Sequence, residues 1–311
     1  MSTDPVTRTT ASTDPWATAA PEPPAVSPRP VAPAPPAAPT AAPPAASTAP
    51  PASAVGVTVA QGVLLSLASI RVATTTQLHR FVNPHAASAD VVRREASALR
   101  ERGLVDGVRV GNSMVWHLTS AGRSAVDDSG MTPPRPHAAT GRKALDSALV
   151  DHALAVTATA AACVRHGLGP VTDWQVEVAH PFDKHNPIAD AVVTTNTGSH
   201  LVEIDRKTES IPVLTKKLRD WTRWAAHRVH VGPRHLVGST RPAWDARYTT
   251  RPDLWLVLDN RPTQDLPHIA AELRRELFNA RAVHDGLPIR VTHLQRLIAH
   301  GPHARIRVGI W

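Results

Sequence analysis

Apolar residues recur along the chain with two different periods, and each period predicts one kind of element. Between residues 55 and 127, a spacing of three to four positions predicts helices and alternation predicts strands. The elements predicted here are helices at Val55–Ile70, Ala73–Val82 and Ser88–Arg102, strands at Leu104–Val110 and Met114–Thr119, and a closing helix at Ser120–Asp127. Gly111-Asn112-Ser113 joins the two strands as a hairpin turn.

The part of the chain after residue 143 combines helices with short apolar strands. The predicted elements are helices at Leu145–His166, Ser210–His227 and Pro267–His284, and strands at Asp173–His180, Ile188–Thr194, His200–Asp205, Leu254–Leu258, Ile289–His293 and Arg305–Ile310. Helices and strands in this order predict a mixed α/β domain, so the chain as a whole is of the α/β class. Trp221 and Trp224 share one side of their helix and are predicted to lie in the core.

Composition separates the chain into four parts. The first 53 residues hold 15 of the 30 prolines and are otherwise mostly Ala, Ser and Thr. Such a segment cannot bury enough apolar surface to offset the entropy of ordering it, so residues 1–55 are predicted to be a disordered Pro/Ala-rich tail. Residues 56–127 form the first folded domain, residues 128–143 a Gly- and Pro-containing linker, and residues 144–311 the second domain.

Net charge and cysteine content limit the environment and the partners. The chain carries a formal charge of +8, and both folded parts are basic, which favours a polyanionic partner such as double-stranded DNA. The single cysteine, Cys163, excludes a disulfide within the chain and is predicted to be buried. No apolar run reaches 18 residues, so no membrane span is expected and a cytoplasmic protein is predicted.

The first domain has the element order of a winged helix-turn-helix, in which the third helix enters the major groove. On that helix, Val92, Ala96 and Leu99 repeat on one side and should pack inward. The residues predicted to face DNA are Arg93, Arg94, Ser97 and Arg100 on the third helix, and Arg109 beside the wing turn. The alternative is a winged helix that makes only protein contacts.

Acidic residues interrupt two predicted strands of the second domain. Asp190 lies early in one strand, and Glu203, Asp205 and Lys207 alternate along and just after the next. A hairpin pairing of the two strands would place Asp190 beside Glu203. The three carboxylates could then bind Mg²⁺ or Mn²⁺, which would activate a water for DNA hydrolysis. The alternative is a solvated strand end whose charges pair among themselves.

Several short motifs, taken in their order and spacing, resemble the replication-relaxation family. The motifs are Leu65–Ala68, Arg71–Leu78, Leu99–Val105, Val115–Thr119, Ala121-Gly122, and the Glu-x-Asp-Arg segment at Glu203–Arg206. Proteins of this family occur mainly on actinobacterial plasmids and integrated elements. The resemblance implies a DNA-binding protein that acts in plasmid replication, relaxation or transfer.

The second domain also resembles the restriction-endonuclease-like nuclease core, in which an Asp, often after Pro, precedes a Glu-x-Lys pattern. Here Ala189 replaces the proline, and Asp205 stands where the lysine belongs. Lys207, or Lys216 or Lys217 on the following helix, is a candidate to replace that lysine, and Glu177 is a further candidate carboxylate. The resemblance therefore implies either a metal-dependent DNA endonuclease or a catalytically degenerate nuclease fold.

Two other functions remain open from the sequence. The chain could be a transcriptional regulator whose second domain is a dimerisation or effector module, and a homodimer would suit a winged helix that reads paired half-sites. It could also be an adaptor that recruits replication or conjugative-transfer proteins through its proline-rich tail. Metal-dependent nicking of DNA would favour the nuclease over both.

Overall fold

The structure is a computed structural model that describes residues 57–131, 145, 149–206, 209–231, 240–279 and 287–308. The predicted tail at residues 1–55, residues 132–143 of the predicted linker, and Lys207 lie outside the described residues.

Two reciprocal caps begin the first two helices. The elements of this part are α1 (Val59–Ile70), β1 (Val72–Thr74), α2 (Thr75–Val82), α3 (Asp90–Glu101), β2 (Val105–Val110), β3 (Ser113–Leu118) and α4 (Ser120–Asp128). The Thr58 hydroxyl accepts a hydrogen bond from the Gln61 amide, and the Gln61 side chain accepts one from the Thr58 amide. Thr74 and Gln77 repeat this arrangement at α2. Each cap satisfies amides that the first helical turn leaves unpaired.

A three-stranded antiparallel sheet completes the first part, with strand order β1-β3-β2. The hairpin between β2 and β3 turns at Gly111, whose φ of 54° lies in the left-handed region that glycine adopts easily. Strand β1 was not predicted, because three residues between two helices are too short to show a strand period. It pairs with β3 from Val72↔His117 to Thr74↔Val115.

The second part is built on a mixed sheet of six strands. Its elements are α5 (Val150–Arg165), β4 (Trp174–Ala179), β5 (Ile188–Thr195), β6 (Gly198–Asp205), α6 (Ile211–Ala226), β7 (Arg228–His230), β8 (Thr240–Pro242), β9 (Asp253–Leu258), α7 (Leu266–Asn279), β10 (Ile289–His293), α8 (Leu294–His300) and β11 (Ile306–Arg307). The strand order is β11-β10-β9-β6-β5-β4. Strands β6, β9 and β10 are parallel, and the outer pairings are antiparallel, so the mixed α/β prediction is confirmed.

Helices cover both faces of this sheet. Alternate residues of β6 show the division, because Val202 and Ile204 join the cluster that contains α5 and α8, whereas Leu201 joins the cluster that contains α6 and α7. Trp221 and Trp224 of α6 are buried, as predicted. Within the described residues, none of the helices is both long enough and apolar enough to cross a lipid bilayer.

The two parts share one hydrophobic core. A single cluster of buried residues runs from α1 through α5 to β5, β6 and β9. The Thr157 hydroxyl on α5 donates a buried hydrogen bond to the carbonyl of Val72, with an O–O distance of 2.7 Å. The Gln77 side chain on α2 donates to the carbonyl of Leu154, at 3.0 Å. The predicted domain boundaries stay predictions, but the described residues on either side of the linker pack as one body.

Candidate functional site

A basic groove opens between α2, α3 and the β2–β3 hairpin. Its volume is about 640 Å³. The residues that line it are Thr74 at the end of β1, Thr75 and Thr76 of α2, Arg93, Ser97, Arg100 and Glu101 of α3, and Arg109, Asn112, Ser113, Met114 and Trp116 of the hairpin. Four of the five predicted DNA-facing residues therefore border one groove. The fifth, Arg94, is exposed on α3 outside it.

The two sides of α3 explain why the groove is polar. Val92, Ala96 and Leu99 are buried against the core, as their spacing predicts. Arg93 and Arg100 lie on the solvent side, where their side chains are 63% and 51% exposed. The helix is thus held by its apolar residues, and its arginines remain accessible.

Two of the groove arginines form exposed ion pairs with nearby carboxylates. Arg93 Nη1 lies 2.6 Å from Asp90 Oδ1, and Arg100 Nε lies 3.3 Å from Asp106 Oδ1. A hydrogen bond from Ser88, together with the Arg93 charge, lowers the pKa of Asp90 below its ordinary value. Exposed ion pairs contribute little to stability, so a phosphate could replace these partners at small cost.

The amino terminus of α2 adds a second source of positive potential to the groove. Thr75 and Thr76 begin this helix, and a helix amino terminus presents amide N–H groups and the positive end of the helix dipole. The Trp116 indole donates a hydrogen bond of 2.9 Å to the Thr75 hydroxyl, which fixes that side chain at the groove. The sequence analysis assigned no functional role to these threonines. Their position beside the third helix of a helix-turn-helix was the signal that could have placed them at the groove.

A second site lies on the six-stranded sheet, where two acidic residues lie on adjacent strands. The β5–β6 pairing ends at Ala191 with Val202, so Asp190 and Glu203 are the next residues of the two strands, and the Asp190 charge acts on Glu203. One Asp190 oxygen accepts a hydrogen bond of 2.7 Å from the amide of Ile204, which links the carboxylate to the neighbouring strand.

Glu203 is almost completely buried, with 1% of its side chain exposed. Its two carboxylate oxygens contact α6, at 2.8 Å from the Trp221 indole nitrogen and 2.5 Å from the Lys217 ammonium. Burial and the Asp190 charge raise the pKa of Glu203 to about 7, although Lys217 and Trp221 favour the ionised form. Of the three lysines named in the sequence analysis, Lys217 is the one that contacts Glu203 in the described residues.

His152 lies beside these two carboxylates, and the sequence analysis did not predict it as a site residue. It lies in the first turn of α5, and its Nε2 is 3.1 Å from Asp190. The hydrogen bond to Asp190 raises the pKa of His152 although burial opposes this. Burial lowers the pKa of Lys217, but the Glu203 and Asp190 charges outweigh it, so the pKa of Lys217 is raised. The cluster of Asp190, Glu203, Lys217 and His152 is called the acidic cluster below.

The structure does not join Asp205 to the other two carboxylates as a metal site. One Asp205 oxygen accepts hydrogen bonds of 2.8 and 2.6 Å from the Arg261 guanidinium. Glu177, the further candidate carboxylate, forms an ion pair with Arg71 at the end of α1. Within the described residues, no three His, Cys, Asp or Glu side chains are grouped so that they could hold a metal ion. The expected three-carboxylate arrangement is therefore not found there.

A comparison with models of protein families identifies a relationship for this chain. The family model described as Replication-relaxation matches residues 64–239, which is 176 of the 311 residues and includes both the basic groove and the acidic cluster. No curated protein matches the chain.

Proposed function

We propose that this chain, which belongs to the Replication-relaxation family, binds double-stranded DNA through a winged helix-turn-helix formed by α1 to β3. The observation that supports this proposal is the basic groove, because α2, α3 and the hairpin contribute to it together. In winged-helix proteins these are the elements that meet the major groove and the adjacent backbone.

Each part of the groove has its own role in this proposal. Arg93, Ser97 and Arg100 on α3 would meet base edges and phosphates in the major groove. The α2 amino terminus would bind a backbone phosphate through its amides. Arg109 beside the hairpin turn would contact the backbone or the adjacent minor groove. Arg94, which lies outside the groove, would at most contribute a phosphate contact.

Fluorescence anisotropy with a labelled random-sequence duplex tests this proposal across a range of salt concentrations. Each phosphate contact contributes about 0.9 to the slope of log affinity against log salt. Arg93→Ala with Arg100→Ala should therefore weaken binding and reduce that slope by about 1.8.

The matched control removes equal charge from exposed positions outside the groove, with Arg241→Ala and Arg275→Ala. This variant should keep most of the wild-type slope. Equal slopes for the wild type and the groove variant would refute DNA binding through the groove. Equal losses in both double variants would show only a nonspecific effect of net charge and would also refute it.

Metal-dependent DNA cleavage is a second candidate function, and the acidic cluster favours it. Two carboxylates on adjacent strands with a lysine beside them keep the acid–acid–lysine set of the nuclease-like core. Mg²⁺ often binds to only one or two carboxylates and completes its shell with water and substrate phosphates. Asp190 and Glu203 are suitable donors of that kind, and a bound ion would stabilise the ionised form of the buried Glu203.

Nicking of supercoiled plasmid in Mg²⁺ or Mn²⁺ tests this second candidate. Metal-dependent nicking that is lost in Asp190→Ala and in Glu203→Ala would support a nuclease. Retained DNA binding without nicking in the wild type would instead support the transcriptional regulator, with the α/β part as a dimerisation or effector module. The groove variant separates the two functions, because it alters DNA affinity and leaves the acidic cluster intact.

A further inference from the structure

A second cavity lies at the opposite end of β6 from the acidic cluster. It has a volume of about 590 Å³. The residues that give it chemical character are His166, Asp173, Thr197, His200, His303 and Arg305. His200 and Glu203 are an odd number of residues apart on β6, so their side chains leave opposite faces of the sheet. The cavity is therefore separate from the acidic cluster.

Arg305 is the main charged group of this cavity. Its guanidinium carbon lies 3.8 Å from the centre of the Trp255 ring, so the plane of the side chain is supported by an aromatic face. The Nε and Nη1 atoms are buried and have no hydrogen-bond acceptor among the described residues. Buried guanidinium donors without acceptors are costly, and an anion would satisfy them.

The carboxylate whose charge acts on Arg305, that of Asp253, already has other hydrogen-bond partners. Asp253 accepts a hydrogen bond from His200 Nδ1 on one oxygen, and one of 2.9 Å from Arg290 on the other. The charge of Asp253 is thus balanced by its own partners. His200 Nε2 is buried and, like the Arg305 donors, has no partner among the described residues. Asp173 is a further acid at the cavity, and burial raises the pKa of its carboxyl group.

We propose that this cavity binds a phosphate group, from either a free nucleotide or a nucleic-acid strand, with Arg305 as its principal ligand. A guanidinium held flat against an indole presents parallel N–H donors that match phosphate oxygens. His200 Nε2 donates to the same group when the imidazole is protonated. The volume leaves room for the sugar and base beyond the phosphate, beside the exposed turn at Asn196 and Thr197.

Isothermal titration calorimetry on the full chain tests this site with three probes. The probes are inorganic phosphate, ATP, and a single-stranded octanucleotide compared with and without a 5′-phosphate. Arg305→Gln should weaken the binding of each probe that binds to the wild type by about 10-fold to 100-fold. This is the loss expected when charge-assisted hydrogen bonds are removed. Arg275→Gln, which removes an exposed arginine of α7, should leave binding unchanged. A preference for ATP would identify a nucleotide site, and a preference for the 5′-phosphorylated strand would identify a strand-end site.

A second variant tests the same site if Arg305→Gln does not fold. Thr197→Asp adds a negative charge at the exposed edge of the cavity and should also weaken phosphate binding. Wild-type affinity in both variants would overturn the proposal. Binding of all three probes to the wild type weaker than about 1 mM would overturn it as well. Neither result affects the basic groove, whose DNA affinity is measured separately.

Discussion

Replacement of Glu203 by Gln should change how the stability of the fold depends on pH. The Glu203 carboxyl is buried between β6 and α6, where burial and the Asp190 charge raise its pKa to about 7. In the unfolded chain the same group releases its proton near its ordinary pKa of 4.5. The folded protein therefore binds one more proton than the unfolded chain between these two values, so stability falls as the pH rises through this interval.

The magnitude follows from the width of that interval. A difference between pKa values of 4.5 and about 7 corresponds to a loss of about 3 kcal/mol, complete above pH 7. Glu203→Gln has no proton to release, so the loss should be absent from the variant. The contact with Lys217 is already part of this pKa, because Lys217 favours the ionised form of Glu203 and is outweighed by burial and the Asp190 charge.

Urea unfolding at pH 4.5, 6 and 8 measures this effect. The free energy of unfolding of the wild type, relative to Glu203→Gln, should fall by about 3 kcal/mol between the first and last pH. Glu276→Gln on the outer side of α7 is the control, and it should follow the wild type. Parallel pH profiles for the wild type and Glu203→Gln would refute the raised pKa and the buried charge on which this reasoning depends.

Two further predictions follow from contacts of the described residues. Asp190→Asn should lower the pKa of His152 in an NMR titration, because the hydrogen bond to Asp190 is the largest cause of its raised value; an unchanged midpoint would contradict the contact. Gly122→Ala should destabilise the fold by about 3 kcal/mol in urea unfolding, because a Cβ atom would lie 1.8 Å from the carbonyl oxygen of Leu104. If that variant has the stability of the wild type, α4 can shift away from Leu104 without a loss of free energy of unfolding, and the prediction is wrong.

The shared core has a consequence for the proposed DNA-binding function. Helix α5 carries Leu154 and Thr157, which bind to the helix-turn-helix part, and also His152, which contacts Asp190. The basic groove and the acidic cluster are thus connected through one helix. DNA held in the groove would have a fixed orientation relative to the cluster, whichever function the second part performs.

The sequence predicted most of the basic groove because its signals are local. The apolar spacing of Val92, Ala96 and Leu99 determines which side of α3 faces solvent, and the neighbouring arginines must then be exposed. The closeness of Asp190 and Glu203 was also predictable, since a short turn joins β5 and β6 and sets their register.

Residues that meet from distant parts of the chain could not be predicted in this way. His152 reaches Asp190 from a helix more than thirty residues earlier, and Arg261 reaches Asp205 from a loop after β9. The cavity around Arg305 likewise joins the end of α5, the β5–β6 turn and the segment before β11. None of these contacts leaves a periodic signal in the sequence.

The sequence by itself thus determined the family, the mixed α/β class, the exposed arginines of α3 and the β5–β6 carboxylate pair, because periodicity and short turns act over a few residues. Only the tertiary structure decided that Lys217 neutralises Glu203, that Arg261 binds Asp205, and that both parts share one core. Those outcomes depend on how helices pack across the sheet, and that packing is set by the volume and burial of side chains far apart in the chain.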